Sequence, residues 1–380
     1  MPIGAKEIDK IVAFATDEGI DFAVVAPDDP LALGAVDALQ QAGIPCFGPD
    51  KKAAEIESSK VFSKNLMKKY GIPTAAFEVF DSEQKALSYL DSAPIPTVIK
   101  ADGLALGKGV VIAQDFEAAK TALDEMMRGG RFGKSGERVV IEEYLEGPEV
   151  SVLAFTDGET VVPMVSSMDH KRALDGDEGP NTGGMGTVAP NPFYTPAVAE
   201  ACMERIFLPT VRAMKAEGRP FRGCLYFGLM LTKDGPKVIE YNCRFGDPET
   251  QVVLPLLESD LLAIMRACAS GTLSAEQVVF RRGAACCVIL ASDGYPGKYE
   301  KGYEITVPAG LDAVVYHAGS ALKDGRLVTA GGRVLGVTAT GGTLEQAVER
   351  AYAAADRVHF QNAYCRRDIG QKALQQKGRS

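Results

Sequence analysis

Several patterns that common function classes require are missing from this sequence. Only three histidines occur in 380 residues, and none pairs in sequence with a nucleophilic Ser or Cys, which leaves a triad hydrolase little to build on. No stretch approaches the roughly 18 apolar residues of a membrane-spanning helix. Basic residues do not prevail: 41 Lys and Arg stand against 50 Asp and Glu, a net charge of −9. Nucleic-acid surfaces hold phosphate with clustered Lys and Arg, so no nucleic-acid partner is expected and any phosphate site must be local. The eight cysteines contain no CxxC and no metal-ligand spacing; Cys286 and Cys287, inside GAACCVILA, read as small buried hydrophobes. Glu7, Asp9 and Asp17 interrupt the place where a signal peptide would carry its apolar core, so no targeting segment is visible and the cytoplasm is the expected location.

What is present is the balance of a globular chain, 46% apolar and 24% charged, long enough for two or three domains. Residues 22 to 47 read as a strand, a turn at PDDP, a helix LALGAVDALQQA and a second strand, one βαβ unit of a parallel sheet. That unit is short for its class, since it leaves exposed sheet edges. From Ser58 a helical pattern runs to Gly71-Ile-Pro, and strands then alternate with helices near 82–92 and 115–127. Strand-rich segments follow to Ser167. The stretch 169–194 has little periodicity and reads as a long functional loop. A helix of about twenty residues (195–216) leads to a hairpin, CLYFGLMLTKDG and PKVIEYN. The remainder is β-rich with a closing helix at 343–357. Three regions result: about 1–64, 65–271 and 272–380.

Four constellations carry chemistry. In Lys100-Ala-Asp-Gly-Leu-Ala-Leu-Gly-Lys-Gly109, Gly103, Gly107 and Gly109 permit tight turns with inward N–H groups, and Lys108 supplies a point charge for phosphate. One Lys–phosphate pair at 4 Å is worth roughly 4 kcal/mol before desolvation, at an effective dielectric near 20. The spacing is not that of a Walker A loop, and no Ser or Thr follows the lysine; a plain hairpin loop with solvated lysines fits the pattern too. In Val238-Ile-Glu240-Tyr-Asn242, residues two apart on a strand lie about 6.6 Å apart on one face. Glu240 and Asn242 thus offer two hard oxygens for magnesium, provided nucleotide phosphates complete the shell. An ordinary polar strand end is the alternative. Val140 to Glu149 is a strand running into a turn, where backbone groups can read an adenine edge and a nearby carboxylate can accept from ribose hydroxyls; a solvated acidic turn reads the same way. Lastly, Asp169-His170-Lys171-Arg172 precedes Gly179-Pro-Asn-Thr-Gly-Gly-Met-Gly186, whose glycines allow close backbone approach to a ligand.

Together, IKADGLALGKGV, DHKRALDGDEGPNTGGMG, VIEYNCRFGDPETQ and GGRVLGVTA resemble the signatures of the ATP-grasp superfamily and, within it, of the glycinamide ribonucleotide synthetases. The resemblance runs over nearly the whole chain. It implies an α/β (α+β) ATP-grasp fold with a truncated N-terminal doubly wound βαβ domain, a mobile lid at about 73–146 and a β-rich C-terminal domain. ATP is the implied co-substrate, with Mg2+ or Mn2+, and glycine and 5-phosphoribosylamine are the small substrates, joined through glycyl phosphate. By the same likeness Lys60 and Lys100 contact the ATP phosphates, and the loop of Gly103, Gly107, Lys108 and Gly109 closes over them. Glu142 and Leu145 bind adenine through backbone groups, Glu149 binds ribose, and Glu240 and Asn242 hold the metal. Arg244, Asp247 and Lys171 lie around the acyl phosphate, with Asp169, Asn181, Thr182, Gly183, Pro248 and Glu249 around the small substrates. Two features depart from the family pattern. The chain starts after the family's first strand and GNGGREHA-type loop, and the usual GPE is Ala26-Pro27-Asp28-Asp29. A late-placed start codon or a reduced amine-substrate site is implied, and a weakly active ATP-binding protein or another purine-step ATP-grasp ligase is the competing expectation.

Overall fold

In the computed structural model, which describes residues 3–104, 109–128 and 133–378, helix α1 (Ile8–Asp17) precedes a parallel pair, β1 (Ala23–Val24) and β2 (Cys46–Phe47). The single helix expected between them is two, α2 (Asp28–Leu33) and α3 (Ala35–Gln41). Gly34, at φ 92°, breaks the hydrogen-bond ladder between them. PDDP is not a separate turn: Asp28 and Asp29 favour the positive end of α2, and Pro30 fits its first turn. A short α4 (Glu55–Ser58) leads into α5 (Lys60–Tyr70). Ser59 caps α5 by accepting from Phe62 N at 3.0 Å, and Gly71 in the left-handed region ends it.

Next come β3 (Phe77–Phe80), α6 (Glu83–Leu90), β4 (Thr97–Ala101), β5 (Val110–Ala113), α7 (Phe116–Met127) and β6 (Val139–Glu143). The strands form an antiparallel sheet in the order β3-β6-β4-β5. Both helices pack on it through Ala86, Leu90, Ala119, Leu123 and Met126, so this unit has its own core. Its central strand β4 is buried along its whole length.

The segment 169–194 departs from expectation. After β7 (Glu149–Asp157) and β8 (Val161–Pro163), it contains four short strands: β9 (Met168–Asp169), β10 (Arg172–Leu174), β11 (Glu178–Asn181) and β12 (Gly186–Ala189). Strands of two to four residues carry too few alternations to register as a period. Then α8 (Pro196–Cys202), a π turn (Met203–Phe207) and α9 (Leu208–Ala216) make up the long helix, and β13 (Arg222–Thr232) and β14 (Gly235–Asn242) the hairpin. A second sheet has the order β14-β13-β7-β8. It meets the first where Lys100 Nζ, from β4, donates to Ile239 O of β14 at 2.9 Å.

Following α10 (Thr250–Val253) and α11 (Leu261–Ser270), the C-terminal part holds β15 (Ala284–Ser292), β16 (Val314–His317), β17 (Ser320–Lys323), β18 (Arg326–Thr329), β19 (Arg333–Gly341), α12 (Leu344–Ala355), β20 (Ala363–Tyr364) and α13 (Gln371–Lys377). Its main sheet runs β16-β19-β15-β12-β9, with β20 also on β15. All nine residues of β15 are buried, and a buried strand needs partners on both sides. β19 supplies one ladder, and β12, from the middle of the chain, supplies the other through pairs such as Gly186↔Val288. Seven cysteines are buried and Cys365 is half-buried, all of them free thiols, as expected of small hydrophobes. Among the described residues no helix is long and apolar enough to cross a membrane.

Candidate nucleotide and acyl-phosphate site

The site begins at the first turns of α5, where Lys60 and Lys64, four residues apart, share one helix face. Lys60 Nζ donates to Gly103 O at 2.7 Å, across the start of the glycine loop. Burial lowers the Lys60 pKa, against the pull of the Glu240 carboxylate. Asp102 ties the same loop to the helix: its Oδ1 accepts from Ser59 Oγ (3.0 Å) and Val61 N (3.1 Å), and its Oδ2 from Arg138 Nη2. Gly103 has φ 110°, and a Cβ there would lie 2.5 Å from Ser135 Oγ, so only glycine fits. Gly109 O accepts from Ala101 N at 2.9 Å. Gly107 and Lys108 lie outside the described residues.

Glu142 joins two lysines. Its Oε2 is 2.9 Å from Lys64 Nζ and its Oε1 3.0 Å from Lys100 Nζ, with all three side chains at most 5% exposed. The Lys100 contact is an ion pair, and the same ammonium also donates to Ile239 O at 2.9 Å. Glu142 Oε1 is a buried acceptor with no hydrogen-bond partner among the described residues. The Glu142 backbone is paired to Phe77 and Val98 within the sheet, and its carbonyl accepts from Thr97 Oγ1. Its carboxylate Oε1 is a group whose hydrogen bonding the described residues leave incomplete. Leu145 is half-buried in the segment that leaves β6.

On β14, Glu240 and Asn242 point to one face, as their spacing predicts. Burial alone would raise the Glu240 pKa, but Lys171, Lys100, Lys60 and Arg244 outweigh it and hold the carboxylate ionised. With the Asn242 amide turned to satisfy both its ends, its nitrogen donates to Glu57 Oε1 at 2.8 Å. Two hard oxygens on one face suit a divalent cation that draws its remaining ligands from water and phosphate. Among the described residues no group of three His, Cys, Asp or Glu side chains is placed to hold a metal ion.

Lys171 connects this strand to the small-substrate residues. Its Nζ is 2.9 Å from Glu149 Oε2 and 3.8 Å from Glu240 Oε1. Burial would lower its pKa, but the charges of Glu149 and Glu240 raise it well above the ordinary lysine value. Asp169 and Glu249 face each other across the same space, and burial together with mutual repulsion raises the pKa of Asp169; burial does the same for Glu249, which accepts from Ser151 Oγ at 3.3 Å. Thr182 donates through both N and Oγ1 to Lys171 O (2.7 and 2.8 Å). Gly183 O accepts from Arg333 Nη1 at 2.7 Å. Asp247, joined to Pro248 by a cis peptide, receives the same guanidinium at 2.7 Å. Arg244 Nη2 is 3.2 Å from Glu57 Oε1. Asn181, at the exposed edge of the β10–β11 hairpin opposite Arg172, stands apart from this cluster.

Sequence reasoning missed Glu57, Lys64, Asp102, Arg138 and Arg333. Lys64 gave a signal in its i+4 spacing from Lys60, and Asp102 and Arg333 lie inside quoted segments without having been given a role; Glu57 and Arg138 find their partners across the fold.

Known proteins resemble this chain in sequence and fold. Three family models match in succession: the N domain of phosphoribosylglycinamide synthetase at 1–57, its ATP-grasp (A) domain at 58–250 and its C domain at 285–372. The chain belongs to the phosphoribosylglycinamide synthetase family. The phosphoribosylamine–glycine ligase of Caldanaerobacter subterraneus subsp. tengcongensis is 50% identical over 368 residues, 97% of this chain and 88% of that protein. That of Agrobacterium fabrum is 50% identical over 366 residues, 96% and 86% of the two. The crystal structure of the Thermotoga maritima ligase superposes with a TM-score of 0.80 at 42% identity, covering 85% of this chain and 81% of that one. The fold is wider than the family: a biotin carboxylase domain from Hydrogenobacter thermophilus reaches a TM-score of 0.76 at 19% identity, covering 98% and 81%.

Proposed function

We propose that this member of the family ligates glycine to 5-phosphoribosylamine with ATP, through glycyl phosphate, giving glycinamide ribonucleotide, ADP and phosphate. The observation that carries the reading is the ring of Lys60, Lys100, Lys171 and Arg244 around the ionised Glu240. Such a ring positions and neutralises phosphate rather than supplying a nucleophile, which is what phosphoryl transfer asks of a protein. Lys60 and Lys100 hold the triphosphate. The open Oε1 of Glu142 accepts from the exocyclic amine of adenine, and Glu149 from ribose. Mg2+ or Mn2+ bound by Glu240 and Asn242 supplies charge neutralisation to the phosphates. The glycine carboxylate attacks the γ-phosphorus and ADP leaves. The amine of phosphoribosylamine then attacks the acyl carbon, phosphate leaves, and the amine proton passes to the Asp169–Glu249 pair, whose proton affinity is raised by burial and, at Asp169, by the neighbouring Glu249 charge. The sheet of β3 to β6 with its two helices is the unit that closes over the acyl phosphate and keeps water out.

ADP release is measured with glycine and freshly made phosphoribosylamine, supplied singly and together. Turnover that needs both supports the ligase; ATP binding without turnover, or preference for another carboxylate or bicarbonate over glycine, sinks it.

A further inference from the structure

The chemistry above leaves one buried cation without a task. Lys64 is as deeply enclosed as Glu142, yet every polar contact it makes is to the protein. Its Nζ lies 2.9 Å from Glu142 Oε2, donates to Thr74 Oγ1 at 2.8 Å and stands 5.4 Å from the centre of the Phe77 ring. Thr74 in turn donates to Val238 O at 2.7 Å, beside an isolated parallel bridge between the same two residues. Lys64 thus touches three elements at once: α5, the sheet of β3 and β6, and, through Thr74, the strand that carries Glu240. Two of its three N–H donors are thus directed at protein oxygens.

Its effect is on Glu142. A carboxylate between two lysines has two ways to turn, and Lys64 decides between them by occupying Oε2. The other oxygen is left facing Lys100, without an aligned donor. A buried acceptor in that state is completed by an N–H brought by a ligand. An adenine amine supplies one, whereas guanine has an oxo group at the same position and would set acceptor against acceptor. Without Lys64, the single remaining cation is Lys100, and Glu142 collapses onto it. The open oxygen closes, and Lys100 is drawn from Ile239 O. We propose that Lys64 is a positioning residue that holds Glu142 for reading the purine, and so sets the preference of this enzyme for ATP over GTP. The inference rests on the reading of Glu142 as the adenine acceptor.

The test compares kcat/KM for ATP and GTP, at saturating glycine and phosphoribosylamine, in the full chain and in its Lys64→Met, Lys64→Arg and Glu142→Gln variants. In Lys64→Met the ATP:GTP ratio is expected to fall about tenfold, the weight of one hydrogen bond to a charged group, mainly through KM for ATP with kcat largely kept. Lys64→Arg, which keeps the cation, retains most of the preference. A ratio unchanged in folded Lys64→Met, even with a lower melting temperature, means that the lysine is only structural and overturns the proposal. Should Lys64→Met not fold, Thr74→Val frees the lysine from its hydroxyl anchor, and an unchanged ratio there overturns it equally. An unchanged ratio in Glu142→Gln instead removes the adenine reading itself, so the two failures are distinct.

Discussion

His170 holds together two parts of the chain 200 residues apart, and it does so uncharged. Its Nδ1 is 3.0 Å from Gly186 O, and its Nε2 accepts from Gly370 N at 3.1 Å. The second bond needs a bare Nε2, which fixes the neutral tautomer with the proton on Nδ1. Burial, with the Arg366 charge beside it, lowers the pKa to about 4. The sign of the pH effect follows. Between the ordinary value of 6.5 and about 4 the unfolded chain binds the proton and the folded one does not, so stability falls as pH drops through that window. The loss attributable to His170 is about 3 kcal/mol. Urea unfolding at pH 7 and pH 4.5, in wild type and His170→Gln, checks it: the variant starts less stable and loses less on acidification. At Glu240 the expected effect is on turnover instead. Glu240→Ala removes the proposed metal ligand from a half-buried strand face and makes no core cavity, so activity is expected to fall about a thousandfold, the worth of several kcal/mol of charge stabilisation, while the melting temperature is nearly unchanged. Wild-type turnover in that variant refutes the metal assignment. Both sides of this site were unequally legible in the sequence. Glu240 and Asn242 are two apart on one strand and could be paired on paper. Glu57, which receives Cys243 N at 2.8 Å from 186 residues away, could not.

At the scale of elements, what could be read depended on length. The hairpin of β13 and β14 and the helices α5, α7 and α12 carry enough periods and caps to be placed within a few residues. Strands β9 to β12 do not, since each is only two to four residues long and exists through a pairing partner. Gly34 was taken for a residue inside a helix, where it is tolerated; its φ of 92° makes it the break. The long helix before β13 also hides a local event. Pro209 has no N–H for the turn before it, and the backbone widens into the π turn Met203–Phe207. The turn from β6 to β7 offers the clearest test of how tightly elements are seated. Gly147 has φ 150°, and a Cβ there would lie 2.1 Å from Leu231 O, where Leu231 N donates to Pro148 O at 3.0 Å. Backbone cannot yield as a side chain does. Gly147→Ala is expected to cost about 3 kcal/mol of stability by strain and overpacking, measured by urea unfolding, and to raise KM for ATP by moving Glu149. A variant as stable as wild type contradicts this packing.

Across the whole molecule, the division read from sequence at 271 and 272 is crossed by the sheet itself, since β12 and β9 pair into the strands that follow. Composition cannot show this, because a domain boundary is a count of contacts and not a feature of any one segment. Its consequence is that the C-terminal part grips the small-substrate residues. Arg366, fully buried, pairs with Asp368 and Asp177 and donates to Arg172 O at 3.0 Å. Arg333, from the GGRVLGVTA segment, reaches further: Nη1 donates to Gly183 O (2.7 Å) and Asp247 O (2.8 Å), while Nη2 meets Asp247 Oδ2. The backbone at Gly183 lies so close that a Cβ would stand 3.0 Å from Arg333 Cζ. One side chain therefore sets the spacing between the 182–184 loop and the 247–249 turn, segments expected around the small substrates and the acyl phosphate. Neither contact involves Lys60 or Lys100, the lysines proposed to hold ATP. Arg333→Met should leave nucleotide binding as it is and loosen the second half of the reaction, so that glycyl phosphate is lost to water before the amine attacks. ADP formed per glycinamide ribonucleotide, about one in a coupled enzyme, then rises severalfold, and KM for glycine rises about tenfold, as expected when a positioning contact is removed. A variant that stays fully coupled, with slower turnover alone, would show that the spacing is held by the β12–β15 ladder and not by this arginine.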